Sequence, residues 1–187
     1  MLVMFGNLEK AVHNFGLIPD LAWRYGGLTF VTAFFLHAGW GHLLGNAYFL
    51  LIFGDNVEDY LGRCRYTLLL LAATIGGGLV HVLWEPRSDI SLVGASGGIS
   101  GIITFYALQF PHARIGFLVR FRWDTIPVWG GLLLWALMQA VGAWLQIMGS
   151  SDVSSLGHLG GAAVGVVCWL SWRKRTRIPD ISGAEIG

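Results

Sequence analysis

Charge is what this chain has least of. Only 12% of its 187 residues are Asp, Glu, Lys or Arg while 55% are hydrophobic, against about 25% charged residues in ordinary soluble domains. That is the composition of a membrane protein, and a mean hydropathy of +0.61 agrees with it. Cysteine is nearly absent. Cys64 and Cys168 lie in or beside apolar runs without ligand spacing, which argues against a disulfide framework. No His-Glu-x-x-His segment occurs and no His/Cys/Glu cluster has metal spacing, so a zinc membrane protease is unsupported and neither metal nor cofactor is expected. A cleavable signal peptide is not expected either, because Met1–Gly6 is too short for an apolar core and lacks a basic start. No nucleic-acid partner is expected. The partner written into the composition is the lipid bilayer.

What the chain has instead is long apolar stretches. A spanning helix needs about 20 such residues. Residues 1–27 are interrupted by Glu9, Lys10, His13, Asn14, Pro19 and Asp20 and hold no full span. Leu28–Leu36 is apolar but short, and reads as an approach along the interface. Five spans are predicted beyond it, at about Trp40–Tyr60, Tyr66–Trp84, Ser96–Phe110, Ile126–Met148 and Gly157–Trp172. All are read as helices because lipid offers backbone groups no other partner, with Pro127 acceptable in a first turn. The expected fold class is an all-α, polytopic membrane helix bundle.

Lys and Arg orient it. Arg63 and Arg65 follow the first span, Arg114, Arg120 and Arg122 the third, and Arg173-Lys174-Arg175-Thr176-Arg177 the fifth. The alternate loops hold Arg87 or, in Gly149–Ser155, no basic residue. The positive-inside rule then makes the basic loops and the C-terminus cytoplasmic, so the third and fifth spans both start at the outer face.

Polar groups inside spans are costly and become functional candidates. Ser96 opens the third span in Gly94-Ala95-Ser96-Gly97, and His158 opens the fifth in Gly157-His158-Leu159-Gly160-Gly161. Read alone, G-x-S-x-G also fits the nucleophile elbow of soluble α/β-hydrolases, but that needs a preceding strand and an alternating α/β chain. Neither is visible. Each candidate is followed by roughly 21 Å of helix at 1.5 Å per residue. In a hydrocarbon core about 30 Å thick, both would lie about 10 Å below the outer surface. Gly157, Gly161 and Gly165 line one face of the fifth span, and Gly97 and Gly101 one face of the third. Contact between such small-residue faces would bring His158 within reach of Ser96 as a general base. His42 and Asn46, four apart, share a face near the outer end of the first span. An imidazole and an amide aimed at one point can donate to a developing oxyanion; taken alone, the pair also suits interhelical hydrogen bonding.

Together these residues resemble the rhomboid intramembrane proteases. His42-Leu43-Leu44-Gly45-Asn46, preceded by Phe35-Leu36-His37-Ala38-Gly39-Trp40, looks like the family's HxxxN segment. Gly94-Ala95-Ser96-Gly97 matches its GxSG motif, Gly157–Gly165 its final catalytic helix, and Glu58 with Gly62 its ExxxG. The resemblance covers about residues 28–172. It implies a serine endopeptidase that cleaves transmembrane segments of membrane-protein substrates through a Ser96–His158 dyad, with His42, Asn46 and the Ser96 N–H holding the oxyanion. It also implies five clear spans with the family's usual first helix missing or truncated, Trp23-Arg24 standing where the first loop would be. Residues 1–27 would then be an N-terminal segment, 28–172 the transmembrane core and 173–187 a basic cytoplasmic tail, in a multi-pass protein of a bacterial inner membrane.

The remaining polar residues carry less. His81 suits a structural hydrogen bond, His37 a brace for the first loop, and His13 and His112 ordinary surface positions. Asp152 is a poor candidate for a triad acid, being outside the fifth helix. Asp55, Glu58 and Asp59 suit bracing on the cytoplasmic side. Two other functions compete: an inactive rhomboid-like binder of membrane clients, which would typically lack the serine or the histidine, and a small channel lined by His42, Asn46 and His158. The absence of an internal repeat weighs against the channel.

Overall fold

A computed structural model describes residues 8–119, 122–151 and 153–173. The basic run from Lys174 onward, together with Arg120 and Asp152, lies outside the described residues. The chain begins with α1 (Leu8–Phe15) and passes through short 3-10 turns and α2 (Thr29–Thr32) before the first long helix. This segment is folded against the bundle. Leu17 bridges to Leu92, Arg24 Nη2 donates to the Gly16 carbonyl at 2.7 Å, and Leu17, Ala22, Phe30 and Ala33 bury with Val82 in a small core.

Five longer helices follow: α3 (Trp40–Leu61), α4 (Arg63–Trp84), α5 (Ser96–Gln109), α6 (Val128–Ile147) and α7 (Ser155–Trp172). Gly62 alone separates α3 from α4, at φ 73° and ψ 158°, its N–H bonded to the Glu58 carbonyl at 2.7 Å. Glu58 also pairs with Arg63 across this turn at 3.5 Å, an exposed contact that adds little stability.

Every predicted span is a helix, and among the described residues three of the five, α4, α6 and α7, meet the length and apolarity of a membrane span by themselves. α3 has the length but carries Asp55, Glu58 and Asp59 in its last two turns. α5 has only 14 residues, about 21 Å at the helical rise, well short of a hydrocarbon core of about 30 Å. It ends where Phe110 precedes Pro111, a residue pair that disfavours helix. Every residue from Gly98 to Ala107 is buried, so this short helix is the centre of the bundle. It packs most extensively on α7, and α4 packs on both.

A correction concerns the all-α reading. Between α5 and α6 the chain forms an antiparallel hairpin, β1 (Arg114–Val119) and β2 (Arg122–Pro127), with Arg114 opposite Pro127. Arg114 clamps it, Nε donating to Thr125 Oγ1 at 2.8 Å and Nη2 to the Thr125 carbonyl at 3.0 Å. The hairpin absorbs Ile126 and Pro127, so α6 starts at Val128 with Pro127 extended as its N-cap.

Candidate active site

Ser96 is the first residue of α5. The first N–H groups of a helix have no carbonyl behind them, so its backbone N–H is free to donate outward. Gly94 turns the chain into this helix at φ 116°, and its N–H bonds to the Ala33 carbonyl at 2.9 Å. A Cβ on Gly94 would fall 2.6 Å from His42 Cε1 and 2.8 Å from His42 Nε2. Both the backbone conformation and the histidine therefore require glycine here.

α7 begins one turn before His158. Ser154 caps it, its Oγ accepting from the Gly157 N–H at 3.2 Å and lying 2.9 Å from His81 Nδ1. The glycine faces then set the distance between α5 and α7. A Cβ on Gly161 would overlap the Gly97 carbonyl, and one on Gly165 would press on the Gly101 carbonyl. Only helices without side chains on those faces can lie this close. The approach places His158 Nε2 2.7 Å from Ser96 Oγ.

His42 and Asn46 come to the same place from α3. The Asn46 amide nitrogen is 3.5 Å from the position that a Gly94 Cβ would take, beside the His42 ring. Asn46 is buried, and its Nδ2 has no hydrogen-bond partner among the described residues. A buried unsatisfied donor costs roughly 1–3 kcal/mol, so an amide kept there needs a reason. A small cavity of about 20 Å³ beside Ser96 and His158, lined also by Gly94, Gly97 and Ser154, is large enough for one water molecule. His37 is buried with its ring 5.2 Å from that of His42. Burial and then the neighbouring His42 ring lower its pKa, so it is neutral at pH 7.

The match to known proteins follows this geometry. The rhomboid domain model matches residues 22–175. The chain belongs to the rhomboid family. This rhomboid is 36% identical over 154 residues to rhomboid-like protein 11, chloroplastic, of Arabidopsis thaliana, covering 75% of the chain and 51% of that relative. It is 31% identical over 150 residues to the mitochondrial rhomboid protein 1 of Saccharomyces cerevisiae, covering 75% of the chain and 40% of that relative. A candidate rhomboid protease of Bacillus subtilis (strain 168) is 29% identical over 166 residues, covering 88% of the chain and 75% of that relative. The matches to the plant and yeast proteins thus span about half of each relative's length or less. The relatives include chloroplastic and mitochondrial proteins, so family membership does not assign this integral membrane protein to a bacterial inner membrane.

The structure thus gathers Ser96, His158, His42 and Asn46 at one end of the bundle. His13 and His112 are exposed and stand apart, and both cysteines are free. One partner is not among the residues singled out by the sequence: Gln139 of α6, whose Oε1 lies 2.9 Å from His158 Nδ1. Its signal was an uncharged polar side chain in the middle of an apolar helix, a weaker flag than an ionisable one.

Proposed function

We propose that this rhomboid is an intramembrane serine endopeptidase whose substrates are transmembrane segments of other membrane proteins. The observation that carries the reading is the 2.7 Å approach of Ser96 Oγ and His158 Nε2 across the α5–α7 contact. Ser96 Oγ attacks the scissile carbonyl while its proton passes to His158, which then gives it to the leaving amine. Water, deprotonated by the same histidine, attacks the acyl-enzyme and releases Ser96. The negative oxygen of each tetrahedral intermediate is held by the Ser96 N–H, His42 and Asn46. Purified protein incubated with a single-span substrate should cleave it, and Ser96→Ala should not. Binding without cleavage by the wild type would mark a non-proteolytic client binder instead.

Removing one oxyanion donor costs about 2.7–4 kcal/mol of transition-state stabilisation, or roughly a hundred- to thousandfold in rate. Asn46→Ala and His42→Ala should each slow cleavage by that amount while the bundle stays folded. A wild-type rate in either variant makes that residue a packing contact.

The domain reading is a transmembrane core over 28–172 with a cytoplasmic basic tail over 173–187, five helical crossings including the short α5, and the Ser96 end of the bundle outside. A cysteine at Ser151 in a background lacking Cys64 and Cys168 should react with a membrane-impermeant thiol reagent in intact cells, and one at Thr176 should not. The reverse labelling pattern would invert the topology.

A further inference from the structure

We infer that Gln139 is a positioning residue for the His158 base, an inference that rests on the proposed Ser96–His158 chemistry. A general base must present a bare nitrogen to the hydroxyl it deprotonates, and a neutral imidazole has one bare and one protonated nitrogen. Nothing in the Ser96–His158 contact chooses between them, because a hydroxyl both donates and accepts. The choice is made on the other side of the ring. The atom 2.9 Å from His158 Nδ1 is the Gln139 amide oxygen, which only accepts. Nδ1 therefore carries the proton and donates to Gln139 Oε1. Nε2 is left bare, and the Ser96 hydroxyl donates to it across 2.7 Å.

When His158 takes the serine proton it becomes a cation in a poorly solvated place, and the amide oxygen faces its Nδ1–H throughout. Gln139 thus orients the ring, selects the tautomer and offers a dipole to the imidazolium. A carboxylate performs these tasks in Ser-His-Asp enzymes. Here a neutral group occupies the position, at no cost of a charge buried between membrane helices. The contact also ties α6 to α7 beside the reacting pair, so the base is held from a third helix as well as by its own.

The test uses the full-length protein in detergent. Gln139→Met keeps the approximate length but replaces the amide oxygen with a much weaker acceptor, and Gln139→Glu keeps an oxygen acceptor in either ionisation state. With a transmembrane substrate, Gln139→Met should lower kcat by on the order of tenfold to a hundredfold at unchanged KM, less than the roughly 10²–10⁴ that a whole general base contributes. Gln139→Glu should recover most of that loss. Imidazole ¹⁵N shifts of His158, assigned against His158→Ala, should report a protonated Nδ1 in the wild type and a mixture of tautomers in Gln139→Met. Wild-type kcat in Gln139→Met, equal losses in both variants, or a protonated Nε2 in the wild type would each overturn the inference. Failure of the underlying reading would look different: the wild type would bind the substrate without cleaving it, or Ser96→Ala and His158→Ala would cleave as well as the wild type.

Discussion

Labelling of the detergent-solubilised protein by a fluorophosphonate probe should be lost in both Ser96→Ala and His158→Ala. Phosphonylation requires an activated oxygen, because a serine hydroxyl is a weak nucleophile without a base beside it. Ser96→Ala removes the atom that is labelled. His158→Ala leaves that atom in place and removes only the proton acceptor 2.7 Å away, so it separates activation from exposure. Groups that act as one unit are not additive: losing either should cost nearly what losing both costs, on the order of 10⁴–10⁶ in turnover. The double variant should therefore be no slower than the worse of the single ones. Strong labelling of His158→Ala at matched protein levels would end the dyad reading, whatever the contact distance.

The second large effect is structural in cause and catalytic in outcome. Gly161→Ala should destabilise the bundle and suppress labelling together, although it touches neither reacting residue. Alanine would normally gain about 1 kcal/mol over glycine in a helix interior. At Gly161 the new methyl falls on the Gly97 carbonyl, a backbone atom that cannot turn aside, so α7 must move away from α5. Overpacking of this kind costs roughly 1–3 kcal/mol. The same movement opens the Ser96–His158 contact, which lies one turn from the clash on the same helix pair. Gly130→Ala is the control, since its methyl would meet only the Pro127 ring at an ordinary 3.6 Å. Gly161→Ala should lower the thermal midpoint and the labelling rate, and Gly130→Ala neither. Normal labelling with normal stability in Gly161→Ala would mean that the helices have slack that the close packing denies.

These two results divide the chemistry from the scaffold that makes it possible. Ser96 at the start of a buried helix, and His158 one turn into its neighbour, need no charged third residue to meet. What they need is two faces stripped of side chains. His42 and Asn46, the proposed oxyanion donors, come from a third helix, α3, where Gly94 at φ 116° leaves room for the His42 ring.

Much of this was legible in the residues alone. Scarce charge and long apolar runs determined a membrane helix bundle, since lipid leaves the backbone few other ways to satisfy its polar groups. The periodic glycines of the third and fifth spans marked the faces that meet, and the four-residue spacing of His42 and Asn46 placed both on one face of α3. Ser96 and His158 stood out because a polar group at membrane depth must have a use or a partner. His81 was expected to be structural, and its contact with the Ser154 cap is of that kind.

Tertiary structure decided the rest. The β1–β2 hairpin was missed because the segment was weighed only as a connection carrying Arg114, Arg120 and Arg122, whereas Arg114 makes its clamp with Thr125, eleven residues away. Length and apolarity alone mark three of the described helices as spans, and α5 is not one of them: neighbours enclose a helix of 14 residues. Gln139 was passed over because one neutral amide in an apolar run has no periodic or paired pattern to announce it. Its role depends on which atom of another helix lies 2.9 Å away. Local sequence determines helix and face, since those follow from near neighbours in the chain. The partner on the far side of the histidine ring depends on how α6 and α7 are placed against each other, and only the packed bundle decides that.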